Sequence, residues 1–261
     1  MKYKNKLLAM LVIVMVAFVL VSCDNTPKPS TSAQVFIFEG GYIKGLSEDG
    51  KKLASIVIPS KIGDEDVIGI DTNAFAGCTG LTSIVISDSV KTIKGAAFKG
   101  CTGLESVTGM KNVSTIGSRA FMGCSALTSI TIPSQVNTLW DRAFNDCTGL
   151  SSLTIEEGVE VLHNSFVGCS KLTEVVIPAS VREIYGTFNG CSSLATVRIK
   201  GTSIAIEGMG TFRGCNISDI YFGGSKKTWE EYEESREQKI WGTTRPSKSY
   251  TVHCSDGDLT Y

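Results

Sequence analysis

The sequence predicts a β-rich repeat solenoid, and three columns of residues predict it. Phenylalanine recurs at Phe75, Phe98, Phe121, Phe144, Phe166, Phe188 and Phe212, at spacings of 23, 23, 23, 22, 22 and 24. Three residues after each stands a cysteine: Cys78, Cys101, Cys124, Cys147, Cys169, Cys191 and Cys215. Six of these units carry leucine three residues further on, at Leu81, Leu104, Leu127, Leu150, Leu172 and Leu194. A period of this length marks stacked units, none of which can bury its apolar face alone.

Within a unit, the leucine opens the pattern L-x-x-I-x-I, as in Leu81-Thr-Ser-Ile84-Val-Ile86 and Leu127-Thr-Ser-Ile130-Thr-Ile132. Alternation at its end is the period of a half-buried strand. A turn follows (Ser87-Asp88, Pro133-Ser134, Glu157-Gly158, Pro178-Ala179), then a second apolar pair: Val90 and Ile93, Val113 and Ile116, Val136 and Leu139, Val159 and Leu162, Val181 and Ile184. That pair predicts a short strand or extended stretch on the opposite side of the coil. The Ala-Phe-x-Gly-Cys link closes the circuit, with small residues where backbones crowd and the aromatic ring filling the interior.

These units resemble the BspA-type leucine-rich repeat, whose consensus is near I-P-x-x-V-x-x-I-G-x-x-A-F-x-x-C-x-x-L-x-x-I-x-I. The match runs from about Leu53 through Phe222. The resemblance implies a right-handed stack of leucine-rich-repeat coils over 53–222. Leu104-Glu-Ser-Val107-Thr-Gly-Met110 departs from it by replacing the usual strand end and proline, and Cys215-Asn-Ile217-Ser-Asp-Ile220-Tyr-Phe222 by losing one residue. Both departures mark local irregularities in the sheet.

Solenoids need polar-faced ends. At 35–52, Val35-Phe-Ile-Phe38, Gly40-Gly41 and Tyr42-Ile43 read as a capping hairpin leading into Ile56-Val-Ile58-Pro59. At 223–261, Thr228-Trp-Glu-Glu231 reads as a capping box, with Trp229, Tyr232, Arg236 and Ile240 on one helical face. The tail Tyr250 to Gly257 resembles the terminal strand and turn of the family.

Ahead of the solenoid, Lys2, Lys4 and Lys6 precede an apolar run from Leu7 to Val21, a charged region and a hydrophobic region of signal-peptide length. Fifteen helical residues span roughly 22 Å, short of the roughly 30 Å hydrocarbon core. Leu20-Val21-Ser22-Cys23 resembles the lipobox of bacterial lipoproteins. That resemblance implies cleavage after residue 22, a diacylglyceryl thioether on Cys23 and a membrane partner reached through that lipid. An ordinary signal peptide or an uncleaved anchor is the alternative. Residues 23–34, polar and carrying two prolines, read as a flexible tether.

With 25 basic against 26 acidic residues, the chain has no global field to draw nucleic acid. Stacked coils set equivalent cysteines roughly 4.8 Å apart, within disulfide range, but their side chains point the same way. Buried reduced thiols acting as core filler are the favoured reading, with disulfides the alternative. Zinc wants four converging ligands, and a line of sulfurs with His163 and His253 does not supply them, so no metal or cofactor is expected. His163, expected at a coil corner, reads as structural. Gly223-Gly-Ser-Lys-Lys-Thr228 lacks the phosphate-loop spacing. Glu230, Glu231, Glu233, Glu234 and Glu237 read as the solvated face of the capping helix. No combination has the logic of an active site, so the chain reads as no enzyme.

Surface remains. The non-apolar positions of L-x-x-I-x-I form one outward row from Thr82, Glu105, Thr128, Ser151, Thr173 and Ala195, and another from Val85, Thr108, Thr131, Thr154, Val176, Arg198 and Tyr221. A rigid face of this kind suits a protein or glycan ligand without loop-ordering cost. Threonine and serine are also simply good exposed strand residues. The family resemblance makes surface-displayed adhesion to host matrix or other cells the leading expectation, and a periplasm-facing scaffold lipoprotein the alternative.

Overall fold

The computed structural model describes residues 35–207, 210–240 and 249–261. The leader, Cys23 and the tether lie outside the described residues, as do the side chains of Arg236 and Ile240. The described residues form a β-solenoid of about eight turns with one α-helix among them, near the C-terminus, the coil stack that the Phe, Cys and Leu columns predict.

Each coil but the last contributes two strands. The L-x-x-I-x-I segments build the major sheet, with strands at Ser55–Val57, Ser83–Val85, Ser106–Thr108, Ser129–Ile132, Ser152–Ile155, Glu174–Ile177, Thr196–Ile199 and Asp219–Phe222. They run parallel and pair in repeat register, Ile84 opposite Val107 and Val197 opposite Ile220. The second apolar pairs build the minor sheet, at Gly69–Ile70, Thr92–Ile93, Thr115–Ile116, Thr138–Leu139, Val161–His163, Glu183–Tyr185 and Ala205–Glu207.

Between the sheets lies the core. The seven phenylalanines are buried and stack nearly parallel, with ring centroids from 4.9 to 5.9 Å apart. The cysteines are free thiols with a role beyond volume. Each carbonyl from Phe98 to Phe188 accepts the backbone N–H of its own coil's cysteine and the thiol of the next coil's, as when Phe121 O receives Cys124 N at 3.2 Å and Cys147 Sγ at 3.2 Å. Cysteine is small, apolar and a weak donor, which fits both demands. Burial pushes the Cys147 thiol up to about 12, so it stays protonated and unreactive.

Both sheets are interrupted at one shared level, and the major sheet again between Ser152–Ile155 and Glu174–Ile177. No ladder joins Ser106–Thr108 to Ser129–Ile132, or Thr115–Ile116 to Thr138–Leu139. The irregular Thr108-Gly109-Met110 stretch ends the strand on the near side of this gap. Gly109 has φ 82°, and a Cβ there would lie 1.9 Å from Ile86 O, so no side chain fits. Corner hydrogen bonds, Phe121 N to Ala143 O at 2.7 Å among them, hold the coils together across this seam.

At the front, Phe36–Glu39 pairs antiparallel with Tyr42–Leu46 through Gly40 and Gly41, both at positive φ, the demand of a type I′ turn. Ile43 pairs with Ile70, which attaches the hairpin to the minor sheet. At the rear, Thr251–Cys254 adds to Asp219–Phe222 and folds back through Gly257–Thr260.

The helix Lys226–Ile240 covers the last coil, its buried Trp229 5.3 Å from the Phe222 ring. Its start differs from the expected capping box. Ser225 caps it, accepting the Thr228 N–H at 3.2 Å, because the helix begins one turn earlier than Thr228. Glu233 also departs from the expectation of a solvated carboxylate face, since it is buried and accepts the Tyr250 hydroxyl at 3.0 Å. His163 lies in a strand, half-buried, instead of at a corner.

Candidate functional site

On the major sheet, alternation about the buried isoleucines turns every second side chain outward. Thr108, Thr131, Thr154 and Tyr221 are exposed, while Val176 and Arg198 are half-buried. Parallel pairing sets Thr131 opposite Thr154, Val176 opposite Arg198 and Arg198 opposite Tyr221. The other row, Thr82 to Ala195, is also aligned, but its hydroxyls lace coil to coil: Thr82 Oγ1 donates to Ala54 O at 2.9 Å, and Ser151 Oγ to Thr128 O at 3.3 Å.

A third outward row was missed in the sequence: Ser83, Ser106, Ser129, Ser152, Glu174, Thr196 and Asp219. These residues precede the first buried isoleucine of the pattern, and strict alternation puts them on the same face as Val85 and its equivalents. Among the described residues, the hydroxyls of Ser106, Ser129, Ser152, Thr108, Thr131 and Thr154 make no side-chain hydrogen bond within the chain.

These free hydroxyls surround the seam. There the interruption of the sheet opens a cleft of 490 Å³, floored by Val107, Ile130 and Met110 and walled by Thr131, Thr154 and Ser152. Gly109 lines one side, its Cα packed too closely on Ile86 of the preceding coil for any side chain. Charges at its mouth are already engaged, Lys111 with Asp88 at 2.6 Å and Glu156 with the Ser134 N–H at 2.9 Å.

The rear of the same face has a different character. Arg198 Nε donates to Glu174 Oε1 at 2.5 Å while its guanidinium lies 3.9 Å from the Tyr221 ring centre. Tyr221 stacks in turn on His253 at 4.4 Å. Hydrogen bonding to Asp219, reinforced by Asp258, raises the His253 pKa above its ordinary value. Arg198 and Tyr221 therefore stand in a preordered stack, with the arginine's charge offset by Glu174.

Among the described residues, no three His, Cys, Asp or Glu side chains come together as a metal site. Nor is any helix there long and apolar enough to cross a membrane.

The sequence matches the BspA type leucine rich repeat region in six copies, over residues 68–187 and 161–240. No curated protein matches it. Similar solved structures include a leucine-rich repeat protein from Bacteroides ovatus, 26% identical over 72% of this chain and 69% of that one, with a TM-score of 0.42. The T. pallidum leucine rich repeat protein is 23% identical, covering 79% and 94% with a TM-score of 0.49. A leucine rich cell surface protein from Faecalibacterium prausnitzii is 23% identical, covering 71% and 73% with a TM-score of 0.40. With all three scores below 0.5, the weight rests on the repeat match.

Proposed function

The chain belongs to the BspA-type leucine-rich-repeat family, and from that premise we propose that it is a lipid-anchored, surface-displayed binding module. Its ligand is a protein or glycan of host matrix or of another cell, taken on the major strand face. What carries the reading is the coincidence of a 490 Å³ cleft with free Ser and Thr hydroxyls on rigid strands. A preordered polar face keeps its hydroxyls available and orders no loop on binding. Cys23 is the lipid attachment point in this reading, and residues 24–34 are the tether that sets the solenoid off from the membrane.

Surface plasmon resonance of the full chain in detergent, over immobilised matrix proteins and glycans, tests the binding face. Thr131→Ala with Thr154→Ala is expected to weaken capture, as is Arg198→Ala with Tyr221→Ala, arginine and tyrosine being enriched among interface hot spots. Undiminished capture by both double variants would move the site off this face. Protease shaving of intact cells tests display, and a solenoid protected from the protease would favour the periplasm-facing scaffold. Cys23→Ala is expected to leave an unprocessed precursor or release the protein from membranes, and normal processing with retention would exclude lipidation.

A further inference from the structure

The minor sheet presents a second surface, independent of the strand-face reading. The position after its buried Ile or Leu is filled in successive coils by Asp71, Lys94, Gly117, Trp140, His163 and Tyr185. At the front this column is internally satisfied. Asp71 pairs with Lys44 at 2.6 Å and Lys94 at 2.9 Å, and Lys94 lies 4.1 Å from the Tyr42 ring centre. Further back, three rings follow one another on adjacent coils. Trp140 is 53% exposed and Tyr185 41%, and the His163 and Tyr185 centroids lie 6.0 Å apart. Together with Asp141, Asn164 and Glu183, these rings line a depression of 490 Å³.

The polar groups there have no work inside the protein. Among the described residues, the side chains of Trp140, His163, Asn164, Glu183 and Tyr185 make no hydrogen bond or ion pair, and Asp141 meets Arg142 only at 3.6 Å. In the neighbouring column, by contrast, Glu160 is bound by Arg182.

We propose that this depression binds a neutral glycan chain lying along the solenoid axis. The exposed ring faces, electron-rich and apolar, match the C–H faces of pyranose rings, and covering them removes apolar area from water. Carboxylate and amide oxygens at the edge accept hydrogen bonds from paired sugar hydroxyls. With two carboxylates and no lysine or arginine in the lining, a sialylated or sulfated chain is disfavoured. Coil spacing of about 4.8 Å puts Trp140 and Tyr185 about 10 Å apart along the axis, the reach of two to three sugar units. A peptide would use a free strand edge or a deep apolar pocket. Val161–His163 and Glu183–Tyr185, which present two of the three rings, are each paired on both sides, and the edge left at Thr138–Leu139 is only two residues long, too short to seat an added strand.

The test uses the full chain in a sugar-free zwitterionic detergent, titrated with cellohexaose, xylohexaose, mannohexaose, a sialylated hexasaccharide and a proline-rich peptide. Tryptophan fluorescence and saturation-transfer NMR report binding, and circular dichroism confirms that variants fold. At least one neutral hexasaccharide is expected to bind. Trp140→Ala and Tyr185→Ala should each lose at least tenfold in affinity, Glu183→Gln several-fold, and Trp140→Phe much less than Trp140→Ala. Lys99→Ala, an exposed change outside both surfaces, should leave sugar binding intact. Four outcomes would each overturn the proposal: no neutral sugar bound at millimolar concentration, binding undiminished in Trp140→Ala, preference for the sialylated chain, or Trp140-dependent binding of the peptide alone.

Discussion

In the front four corners of the solenoid the residue before the phenylalanine is Ala74, Ala97, Ala120 or Ala143, whereas in the last three it is Ser165, Thr187 or Thr211. From Leu139 to Phe144 is five residues, but from Leu162 to Phe166 and from Ile184 to Phe188 only four. The two shortened corners recruit a side chain where backbone is missing, whereas the last, with six residues from Ile206 to Phe212, is lengthened and its Thr211 hydroxyl accepts the Gly186 N–H. Ser165 Oγ reaches His163 O at 2.7 Å, and Thr187 Oγ1 reaches Leu162 O at 2.8 Å. The minor strands lengthen there from two residues to three, which is how His163 and Tyr185 come to be displayed. Stacking is looser there, with ring centroids 4.9 Å apart from Phe75 to Phe98 but 5.8 Å from Phe166 to Phe188. One coil plan thus tolerates a deletion when a hydroxyl replaces the lost backbone partner, at the cost of tight ring contact.

Core truncation should separate the two regions most. Phe98→Ala and Phe188→Ala are each expected to cost about 3–5 kcal/mol through cavity formation, Phe98 nearer the top because its stacked neighbours are closer. Exposed Thr131→Ala should stay within about 0.5 kcal/mol. Urea titration measures all three. A larger loss at Phe188 than at Phe98 would break the link between ring spacing and packing strength.

The hydroxyl exchange is the next test. Thr187→Val keeps the shape of the residue but strands the carbonyls it serves, an expected loss of about 1–3 kcal/mol. Ala97→Ser, in a corner with its full number of residues, should bring no gain. If Thr187→Val is neutral in the same titration, the hydroxyl is filling space and not replacing backbone.

Much of this was legible in the sequence, for periodic reasons. A column such as Phe75 to Phe212 records the same constraint seven times, so coil length and the major strands follow from spacing alone. The 22-residue spacings were equally visible, but their consequence depends on which corner atoms lose partners. The outward row of Ser129 and Ser152 was readable from alternation and passed over because two adjacent polar positions hide which one faces out. The helix start was misjudged because Thr228 and Glu231 imitate a cap while Ser225, three residues earlier, completes one. Glu233 looked solvated because its partner Tyr250 is distant in sequence. The cleft was not legible at all, since it arises from a missing ladder between coils.

Cysteine substitutions should give a smaller contrast between interior and end. Cys147 donates to Phe121 O, and Cys147→Ala is expected to cost about 1 kcal/mol for the lost contact and hydrogen bond. Half-buried Cys78, in the first unit of the column, should cost less. A maleimide reagent at pH 8 should reach Cys78 before Cys147, whose thiol is held protonated by burial. Mass spectrometry of labelled peptides gives the order, and early labelling of Cys147 would mean that the central coils open locally.

The smallest expected effect distinguishes the two caps by pH. At the rear, His253 sits 3.2 Å from Asp219 and 3.1 Å from Asp258, and these contacts raise its folded pKa above the ordinary 6.5. Its contribution is therefore full below the unfolded value and is lost as pH rises through the folded one. At the front, hydrogen bonds from Lys44 and Lys94 hold Asp71 below the ordinary 3.8. That contribution is full above the unfolded value and is lost as pH falls through the folded one. The rear strand should loosen with alkali and the front hairpin with acid. Both sites are solvent-accessible, so each change is small and is best read locally. Amide exchange, corrected for the intrinsic pH dependence of exchange, should show Val252 losing protection as pH rises past the His253 midpoint, while Ile43 holds until strong acid. His253→Asn should abolish the rear response and leave the front one. An imidazole that titrates at or below 6.5 by NMR would sink the rear half of this contrast, because the stack on Tyr221 would then stand without its carboxylate support.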